Sequence, residues 1–268
     1  MLRHTKRLSA AFIGFLFMGL TAVCSAETVL VTGSNSGIGF AFAEQYASMG
    51  WKVIATHRRT EAPETLTALA QKYETVQIER MDVTSNSEID GLAQKLKGTP
   101  IDVLINNAGM MVVGKLGDPK VAAAQAFGTL DYEQFDTFMH TNVMGPIKIA
   151  EAFVGNLRAS KDGKVVNISS TAGSISPAVS PFREGYWYKA SKVALNMLMK
   201  NLAYDLKKDN IVVIMLHPGG VRTTKLKDIK IPLMEPSESV GAMVKVIDNL
   251  TMADSGNFID YNGKPQPF

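Results

Sequence analysis

The chain has 268 residues, of which 46% are hydrophobic and 20% charged, a balance typical of a folded globular protein rather than a disordered one. Its net charge of +3 comes from Arg3, Lys6 and Arg7 near the start, so residues 27–268 are neutral overall and no nucleic-acid partner is expected. A single cysteine, Cys24, excludes an intramolecular disulfide, and the 4 histidines are scattered, so no metal site is expected.

Residues 1–26 have the three parts of a secretory signal peptide. A basic head precedes an uncharged apolar stretch, which ends on the small residues Cys24-Ser25-Ala26. We therefore predict a leader or membrane anchor at 1–26, and a protein that is exported to the periplasm or tethered to the membrane by this segment. The alternative is a cytoplasmic protein that starts at Met18.

From residue 28 onwards, strand and helix patterns alternate. Short apolar runs predict strands at residues 28–32, 52–56, 76–80, 101–105, 165–168, 211–216 and 258–259. Helical spacing of apolar residues predicts helices at 37–49, 64–72, 86–97, 132–159, 188–208 and 236–250. This alternation predicts one α/β domain over residues 27–268, with a doubly wound parallel sheet of about seven strands and helices on both faces.

The first strand runs into a glycine-rich loop, Thr32-Gly33-Ser34-Asn35-Ser36-Gly37-Ile38-Gly39. Glycines there permit a tight turn and the close approach of a pyrophosphate, and the next helix directs its first N–H groups at that phosphate. The spacing Gly-x3-Gly-x-Gly differs from the commonest dinucleotide fingerprint, and no lysine follows as in a P-loop. Such a loop alone is more often a simple turn, but its place at the start of a βαβ series favours a nucleotide site.

Four motifs together resemble the short-chain dehydrogenase/reductase family. They are the glycine loop, Asn106-Asn107-Ala108-Gly109, Tyr188-Lys189-Ala190-Ser191-Lys192 and Pro218-Gly219-Gly220-Val221-Arg222-Thr223. The stretch between Ser170 and Tyr188 and the tail at 254–263 are most similar to the C-factor and carbonyl-reductase-like branch. The resemblance covers residues 28–268 and implies a Rossmann-type fold, a nicotinamide cofactor, a small-molecule carbonyl or alcohol substrate, and pairing into a homo-oligomer through the two long helices.

Tyr188 and Lys192 are four residues apart, so on a helix they share one face. An amphipathic helix often carries such a pair by chance, but here it accompanies the glycine loop and the Asn-Asn-Ala-Gly turn. A fixed ammonium favours the charged form of a nearby phenol, so Lys192 is expected to lower the pKa of Tyr188 from its usual value near 10. That change would bring the tyrosine towards the working range of a general acid or base.

The resemblance supplies two further catalytic candidates. It implies that Ser170 hydrogen-bonds the substrate carbonyl and that Asn142 holds a water molecule in a proton relay. Ser174 and Ser176 remain alternatives to Ser170, because the interval to Tyr188 is longer than the usual family spacing. Ser169 is expected to be a structural loop residue.

The end of the second predicted strand bears on the choice of cofactor. His57 stands where an acidic residue would bind the ribose of NAD, and Arg58 follows it. A guanidinium can bind the 2′-phosphate of NADP in a fork, whereas a carboxylate would repel it. We therefore predict NADP, with NAD as the alternative, although Arg58 and Arg59 could simply be solvated loop charges.

Asp82 resembles the family residue that contacts adenine. A helix N-cap is the structural alternative for Asp82, but Ser85 is better placed for that role. The complete predicted cofactor-binding set is Gly33, Ser36, Gly37, Ile38, Gly39, Arg58, Asp82, Val83, Asn106, Ala108, Gly109, Tyr188, Lys192, Pro218, Gly219, Val221 and Thr223.

These assignments imply a reductase that uses NADPH to reduce a carbonyl compound, with Tyr188 as proton donor. Lys192 would bind the nicotinamide ribose, and Ser170 would polarise the carbonyl. The alternatives are the reverse oxidation of a secondary alcohol, and an NADP-binding sensor without turnover. The substrate pocket is expected between residues 177–187 and 223–236, where the family has variable loops.

Overall fold

The structure is a computed structural model that describes residues 26–114, 118–176, 185–223 and 232–268. The predicted leader, the alternative start at Met18 and most of the two predicted pocket loops lie outside the described residues. Within the described ranges, every helix is too short or too polar to cross a membrane. The same ranges contain no cluster of three or more His, Cys, Asp or Glu side chains that could hold a metal ion.

Seven parallel strands in the described residues form one sheet in the order β3-β2-β1-β4-β5-β6-β7. The strands are β1 (Thr28–Val31), β2 (Lys52–His57), β3 (Val76–Arg80), β4 (Val103–Asn106), β5 (Lys164–Ile168), β6 (Val212–His217) and β7 (Phe258–Asp260). The doubly wound parallel sheet predicted from the sequence is thus confirmed. The strand order reverses between β1 and β4, and ligands of such sheets bind in the crevice at the carboxyl ends of the strands at this point.

Eight α-helices connect and flank the strands within the described ranges. They are α1 (Gly37–Ser48), α2 (Glu64–Lys72), α3 (Asn86–Lys95), α4 (Pro119–Ala123), α5 (Gln134–Met139), α6 (Gly145–Ala159), α7 (Tyr186–Leu206) and α8 (Pro236–Asp248). Helices α1, α2 and α8 cover one face of the sheet, and α3, α6 and α7 cover the other.

Side chains of each strand point alternately into two hydrophobic layers. In β1, Val29 and Val31 pack with Phe42 of α1 and Met243 of α8. Leu30 between them packs in the opposite layer with helices α3, α6 and α7. This alternation is the period of two that a strand imposes, and burial on both faces explains why the strand reads as an unbroken apolar run.

The structure differs from the prediction between residues 118 and 159. The single helical region predicted at 132–159 is α5, a π-helical turn at His140–Met144 and then α6. In that turn the N–H of Gly145 bonds to the carbonyl of His140, five residues back. The short helix α4 was not predicted, because its five residues carry no apolar repeat.

Candidate active site

The candidate catalytic side chains lie at the carboxyl ends of β4 and β5. Ser170 follows β5, Asn142 lies in the π-helical turn, and Tyr188 and Lys192 are in the first two turns of α7. The glycine loop joins β1 to α1 beside them. Residues from four distant parts of the sequence thus meet at the point where the strand order reverses.

The hydroxyl of Ser170 lies near enough to that of Tyr188 to affect the pKa of the tyrosine as a hydrogen-bond donor. Ser170 Oγ also accepts a hydrogen bond from the N–H of Ala172 at 3.1 Å, which fixes the orientation of its side chain. The neighbouring Ser169 instead points inward and donates to Asn196 Oδ1 at 2.6 Å. Ser174 accepts from the N–H of Ser176 within its own turn. Among these serines, Ser170 is therefore the one placed against the tyrosine.

Lys192 is buried, with 6% of its surface exposed. Its Nζ donates to the carbonyl of Ile168 at 2.8 Å and lies 6.0 Å from the centre of the Tyr188 ring. Because burial removes the ammonium from water, the pKa of Lys192 is lowered from 10.5 to about 8. The Lys192 side chain is therefore held between the end of β5 and Tyr188. Its ammonium group releases its proton at a lower pH than that of an exposed lysine.

The pKa of Tyr188 moves in the direction opposite to the sequence prediction. Removal of its hydroxyl from water raises the pKa above the usual 10.0, and the hydrogen bond from Ser170 opposes this rise only in part. The prediction considered the attraction of the Lys192 ammonium and left out desolvation. In this site desolvation dominates, because the two side chains are held together in a place that water does not reach freely.

Asn142 is 1% exposed, and its side-chain amide hydrogen-bonds to other residues of the protein. Its Oδ1 accepts from the N–H of Met110 at 2.7 Å, and its Nδ2 donates to the carbonyl of Met110 at 2.8 Å and to Ser191 Oγ at 2.9 Å. Ser191 Oγ in turn donates to the carbonyl of Tyr188 at 2.7 Å. Both amide hydrogens are used in these bonds, so the side chain positions Met110 and the tyrosine backbone in addition to any contact with water.

The glycine loop has the shape of a cradle for a phosphate group. A Cβ at Gly39 would collide with the carbonyl of Gly33 and with Asn107 Nδ2, and one at Gly33 would lie 3.0 Å from the Cα of Ala108. Gly33 and Gly37 have φ of +67° and +57°, which glycine adopts without strain. Ser36, at the N-cap of α1, makes no side-chain cap hydrogen bond, so the first N–H groups of the helix are left for a ligand.

Thr32 and Asn107 fix the loop to the end of β4. Thr32 Oγ1 accepts from the N–H groups of Asn107 and Ala108, while Asn107 Nδ2 donates to the carbonyls of Thr32 and Gly33. Neither residue was in the predicted site set, although both lie inside the quoted motifs. Thr32 directly precedes the first glycine turn and Asn107 lies just before Gly109 in the second. These two positions are the sequence features that could have predicted the contact.

At the end of β2, His57 is buried and Arg58 and Arg59 are exposed. His57 Nδ1 lacks a hydrogen-bond partner within the described residues. Burial lowers the pKa of His57, and the positive charges of Arg59 and Arg80 lower it further. Arg58 is therefore exposed directly after a buried histidine, where its guanidinium is accessible to an anionic group.

The other predicted cofactor residues lie around the same crevice, and several have structural partners. Asp82 accepts from both the N–H and the hydroxyl of Thr84, whereas Ser85 caps α3 through the N–H of Glu88. The carbonyl of Val83 would lie 2.5 Å from a Cβ at Gly145, so α6 starts in close contact with this turn. The Asp82 carboxylate is thus oriented by its own turn, and Ser85 is the helix cap.

Asn106 is buried, its Nδ2 donates to Asn167 Oδ1 at 2.9 Å, and its Oδ1 has no hydrogen-bond partner within the described residues. Gly109 is exposed next to it, and a Cβ there would lie 3.8 Å from Lys192 Nζ. Ala108 and Ile38 are half-buried beside the loop. The backbone of residues 106–109 therefore forms the floor between the glycine loop and Lys192.

The segment after β6 closes the crevice from the other side. The Pro218 carbonyl accepts from Ser239 Oγ at 2.6 Å, and Gly219 has a φ of +80°. Val221 is buried and pairs with Met234 in a short bridge. The Thr223 side chain lies 3.5 Å from where a Cβ of Gly37 would be, so it covers the glycine loop directly.

Comparison with known proteins agrees with this geometry. Residues 27–232 match the family model described as short chain dehydrogenase. The 1-hydroxy-2-glutathionyl-2-methyl-3-butene dehydrogenase of Rhodococcus sp. (strain AD45) is 32% identical over 241 residues, covering 88% of this chain and 97% of that protein. The C-signal protein of Myxococcus xanthus is 34% identical over 170 residues, covering 63% of this chain and 93% of that protein.

A solved structure is similar over most of the chain. The NADPH-bound carbonyl reductase from chicken fatty liver superposes with a TM-score of 0.81 at 30% identity, covering 91% of this chain and 99% of that one. These similarities confirm the family and the branch that the sequence motifs indicated. The chain belongs to the short chain dehydrogenase family of oxidoreductases.

Proposed function

We propose that this protein reduces a carbonyl compound with NADPH. The observation that carries the proposal is the cluster of Ser170, Tyr188 and Lys192 beside a glycine loop shaped to accept a phosphate. The similarity to a carbonyl reductase that binds NADPH supports both the reaction and the cofactor.

The residues at the crevice fit a nicotinamide dinucleotide. The loop with Gly33, Gly37 and Gly39 would hold the pyrophosphate, and the exposed Arg58 would bind the 2′-phosphate of NADP. Lys192 would hydrogen-bond the nicotinamide ribose. When bound, the nicotinamide would supply the hydride that reduces the carbonyl carbon.

Side chains of the protein would donate the proton and stabilise the negative charge that develops on the substrate oxygen. Ser170 would donate a hydrogen bond to the substrate oxygen, and Tyr188 would donate the proton. Because the pKa of Tyr188 is raised, the hydroxyl is protonated at neutral pH and ready to act as an acid in the reducing direction. Asn142 and Ser191 hold the backbone of that tyrosine in place.

A direct assay tests the proposal. Purified protein is mixed with NADPH and a panel of aldehydes, ketones and diketones, and the loss of NADPH absorbance is followed. Carbonyl-dependent loss that is absent without protein supports a reductase. NADPH binding detected by fluorescence without turnover on the whole panel would instead support an NADP-binding sensor.

We also propose that residues 27–268 function outside the cytoplasm, released from or tethered by the leader. The basic head and apolar stretch of residues 1–26 support this, and the family match begins at residue 27, directly after the leader. Cells that carry a C-terminally tagged copy would be fractionated and the amino-terminal residue of the product determined. A product outside the cytoplasm beginning at Glu27 supports cleavage, whereas a cytoplasmic product beginning at Met18 contradicts export.

A further inference from the structure

Helix α7, which carries Tyr188, begins without a capping side chain of its own. Its N-cap residue is Gly185, with a φ of +87° and no side-chain hydrogen bond. The first N–H groups of a helix have no partner within the helix, so they need acceptors from elsewhere. The tyrosine is the third residue of this helix, and its own N–H is one of those groups.

Gln125, 63 residues earlier in the chain, supplies these acceptors. Its main-chain carbonyl accepts from the N–H groups of Gly185 at 3.1 Å and Tyr186 at 3.4 Å. Its side-chain Oε1 accepts from the N–H of Tyr188 at 3.3 Å. One residue thus caps the start of the helix with both its backbone and its side chain.

The same side chain also reaches the turn after β4. Gln125 is 4% exposed, and its Nε2 donates to the carbonyl of Met111 at 3.3 Å. The Tyr188 N–H can only donate and the Met111 carbonyl can only accept, so a single orientation of the amide satisfies both partners. A buried amide with both ends satisfied is fixed in its position.

A second contact holds the same segment against α7. Trp187 Nε1 donates to the carbonyl of Asp131 at 2.8 Å, and its ring meets Tyr132 and Phe135 edge-on at 5.5 and 5.3 Å between ring centres. Gln125 therefore lies in a segment that is itself attached to the helix. Its amide is held in place by more than its own two hydrogen bonds.

We propose that Gln125 is a positioning residue for Tyr188. Its amide fixes the N–H of the tyrosine from one side, while Ser191 fixes the carbonyl from the other. The backbone of Tyr188 is thereby held at the place where its hydroxyl meets Ser170. This inference rests on the proposed function, because the position of Tyr188 affects turnover only if its hydroxyl transfers the proton.

Two substitutions separate the hydrogen bonds from the packing. Gln125→Met keeps the length of the side chain and removes both polar atoms. Gln125→Glu keeps an acceptor for the Tyr188 N–H, and in its protonated form it also keeps a donor for Met111. Gln134→Met is the matched control, because Gln134 is half-buried nearby and bonds to Asp131 rather than to α7.

We would measure kcat, the KM for NADPH and amide hydrogen exchange in the peptide that begins α7. For Gln125→Met, we expect a fall in kcat of about 10- to 100-fold, the scale of a catalytic group misplaced by about 1 Å. The KM for NADPH should change by less than about twofold, since the phosphate-binding loop is untouched. Exchange at the start of α7 should become faster, and Gln125→Glu should recover most of the lost kcat.

The outcomes separate this inference from the proposed function. A kcat for Gln125→Met within twofold of wild type, or an equal loss in Gln125→Glu and Gln134→Met, overturns the positioning role. If Gln125→Met does not fold, Gln125→Glu is compared directly with wild type. A kcat of Gln125→Glu far below that of wild type then counts against the role. If wild type reduces no carbonyl compound, the proposed function fails, and unchanged exchange at the start of α7 would then also refute the cap.

Discussion

The side-chain amide of Asn142 bonds to both polar backbone atoms of Met110, at 2.7 and 2.8 Å. These two hydrogen bonds join the π-helical turn to the turn that follows β4. A third bond to Ser191 extends it to α7. The position of the candidate proton donor therefore depends on a side chain that is remote from it in sequence.

We expect Asn142→Leu to destabilise the protein by about 2–4 kcal/mol, because it leaves both backbone polar groups of the half-buried Met110 and the buried Ser191 hydroxyl without their Asn142 partner. Turnover should fall as well, since the support of Ser191 and the tyrosine backbone is lost. Urea denaturation measures the free energy of unfolding. Asn249→Leu is the control, because Asn249 is exposed and its side chain bonds to the carbonyl of Lys245 in its own helix end, so a change above about 0.5 kcal/mol there would weaken the interpretation.

Tyr188→Phe should abolish most turnover while preserving NADPH binding. The ring and its packing remain, but the proton donor is lost, and general acid catalysis contributes about 100- to 10,000-fold. Steady-state kinetics and fluorescence titration with NADPH measure the two effects separately. Tyr204→Phe removes a hydroxyl from an 82% exposed residue of the same helix and should change neither. Turnover of the Tyr188 variant within tenfold of wild type would show that another group donates the proton.

Arg58→Ala should weaken NADPH binding by at least about tenfold and leave NADH binding nearly unchanged. A charge-assisted bond to the 2′-phosphate is lost, and about 1.4 kcal/mol corresponds to a factor of ten. Titration of both cofactors checks this. Arg158→Ala is the control, because Arg158 is paired with Asp209. An equal loss for NADPH and NADH in Arg58→Ala would refute the assignment.

Gly39→Ala should prevent tight cofactor binding and destabilise the fold by about 1–3 kcal/mol, because its Cβ collides with the Gly33 carbonyl and Asn107. Gly155→Ala in α6 is the matched control. Among the described residues, no atom from outside its own helical turn lies within 4 Å of a Cβ at Gly155, so alanine should stabilise the helix by about 0.5–1 kcal/mol. Thermal unfolding and NADPH titration measure both variants. Unaltered binding by the Gly39 variant would mean that the loop does not form the phosphate site.

The lowered pKa of Lys192 makes stability depend on pH in a defined direction. Between about 8 and 10.5 the unfolded chain holds a proton that the folded chain has released, so the free energy of unfolding rises with pH across this window. Below pH 8 both states are protonated and the penalty for burying the charge is fully present. The difference between the two pKa values corresponds to about 3 kcal/mol.

Lys192→Met removes this contribution. Wild type should therefore gain up to about 3 kcal/mol relative to the variant as the pH is raised from 8 towards 10.5. Lys200→Met, which changes an exposed lysine of the same helix, should show no such gain. Denaturation of the three proteins at several pH values provides the comparison. A stability difference between wild type and Lys192→Met that is independent of pH would contradict the burial of a titrating ammonium.

Periodicity was sufficient to predict the parallel sheet, because each strand is buried on both faces and each long helix has an apolar face. The four-residue spacing predicted that Tyr188 and Lys192 share one helix face, whereas Ser170 came from the family resemblance and not from spacing. The role of Gln125 could not be predicted, because nothing in the sequence relates a single glutamine in a segment without an apolar repeat to the start of α7. The pKa of Tyr188 was missed for a related reason, because desolvation depends on every atom that surrounds the hydroxyl.

The π-helical turn at His140–Met144 makes the number of residues in this segment matter as well as their identity. A π-helical turn holds one residue more than an α-helical turn, so a one-residue deletion here would close it to regular α-helix and shift Asn142 away from its partners Met110 and Ser191. Exposed members of the turn, such as His140 and Met144, should tolerate many replacements. Among inherited variants of this gene, in-frame deletions of one codon within 140–144 should be far more harmful than substitutions at its exposed positions.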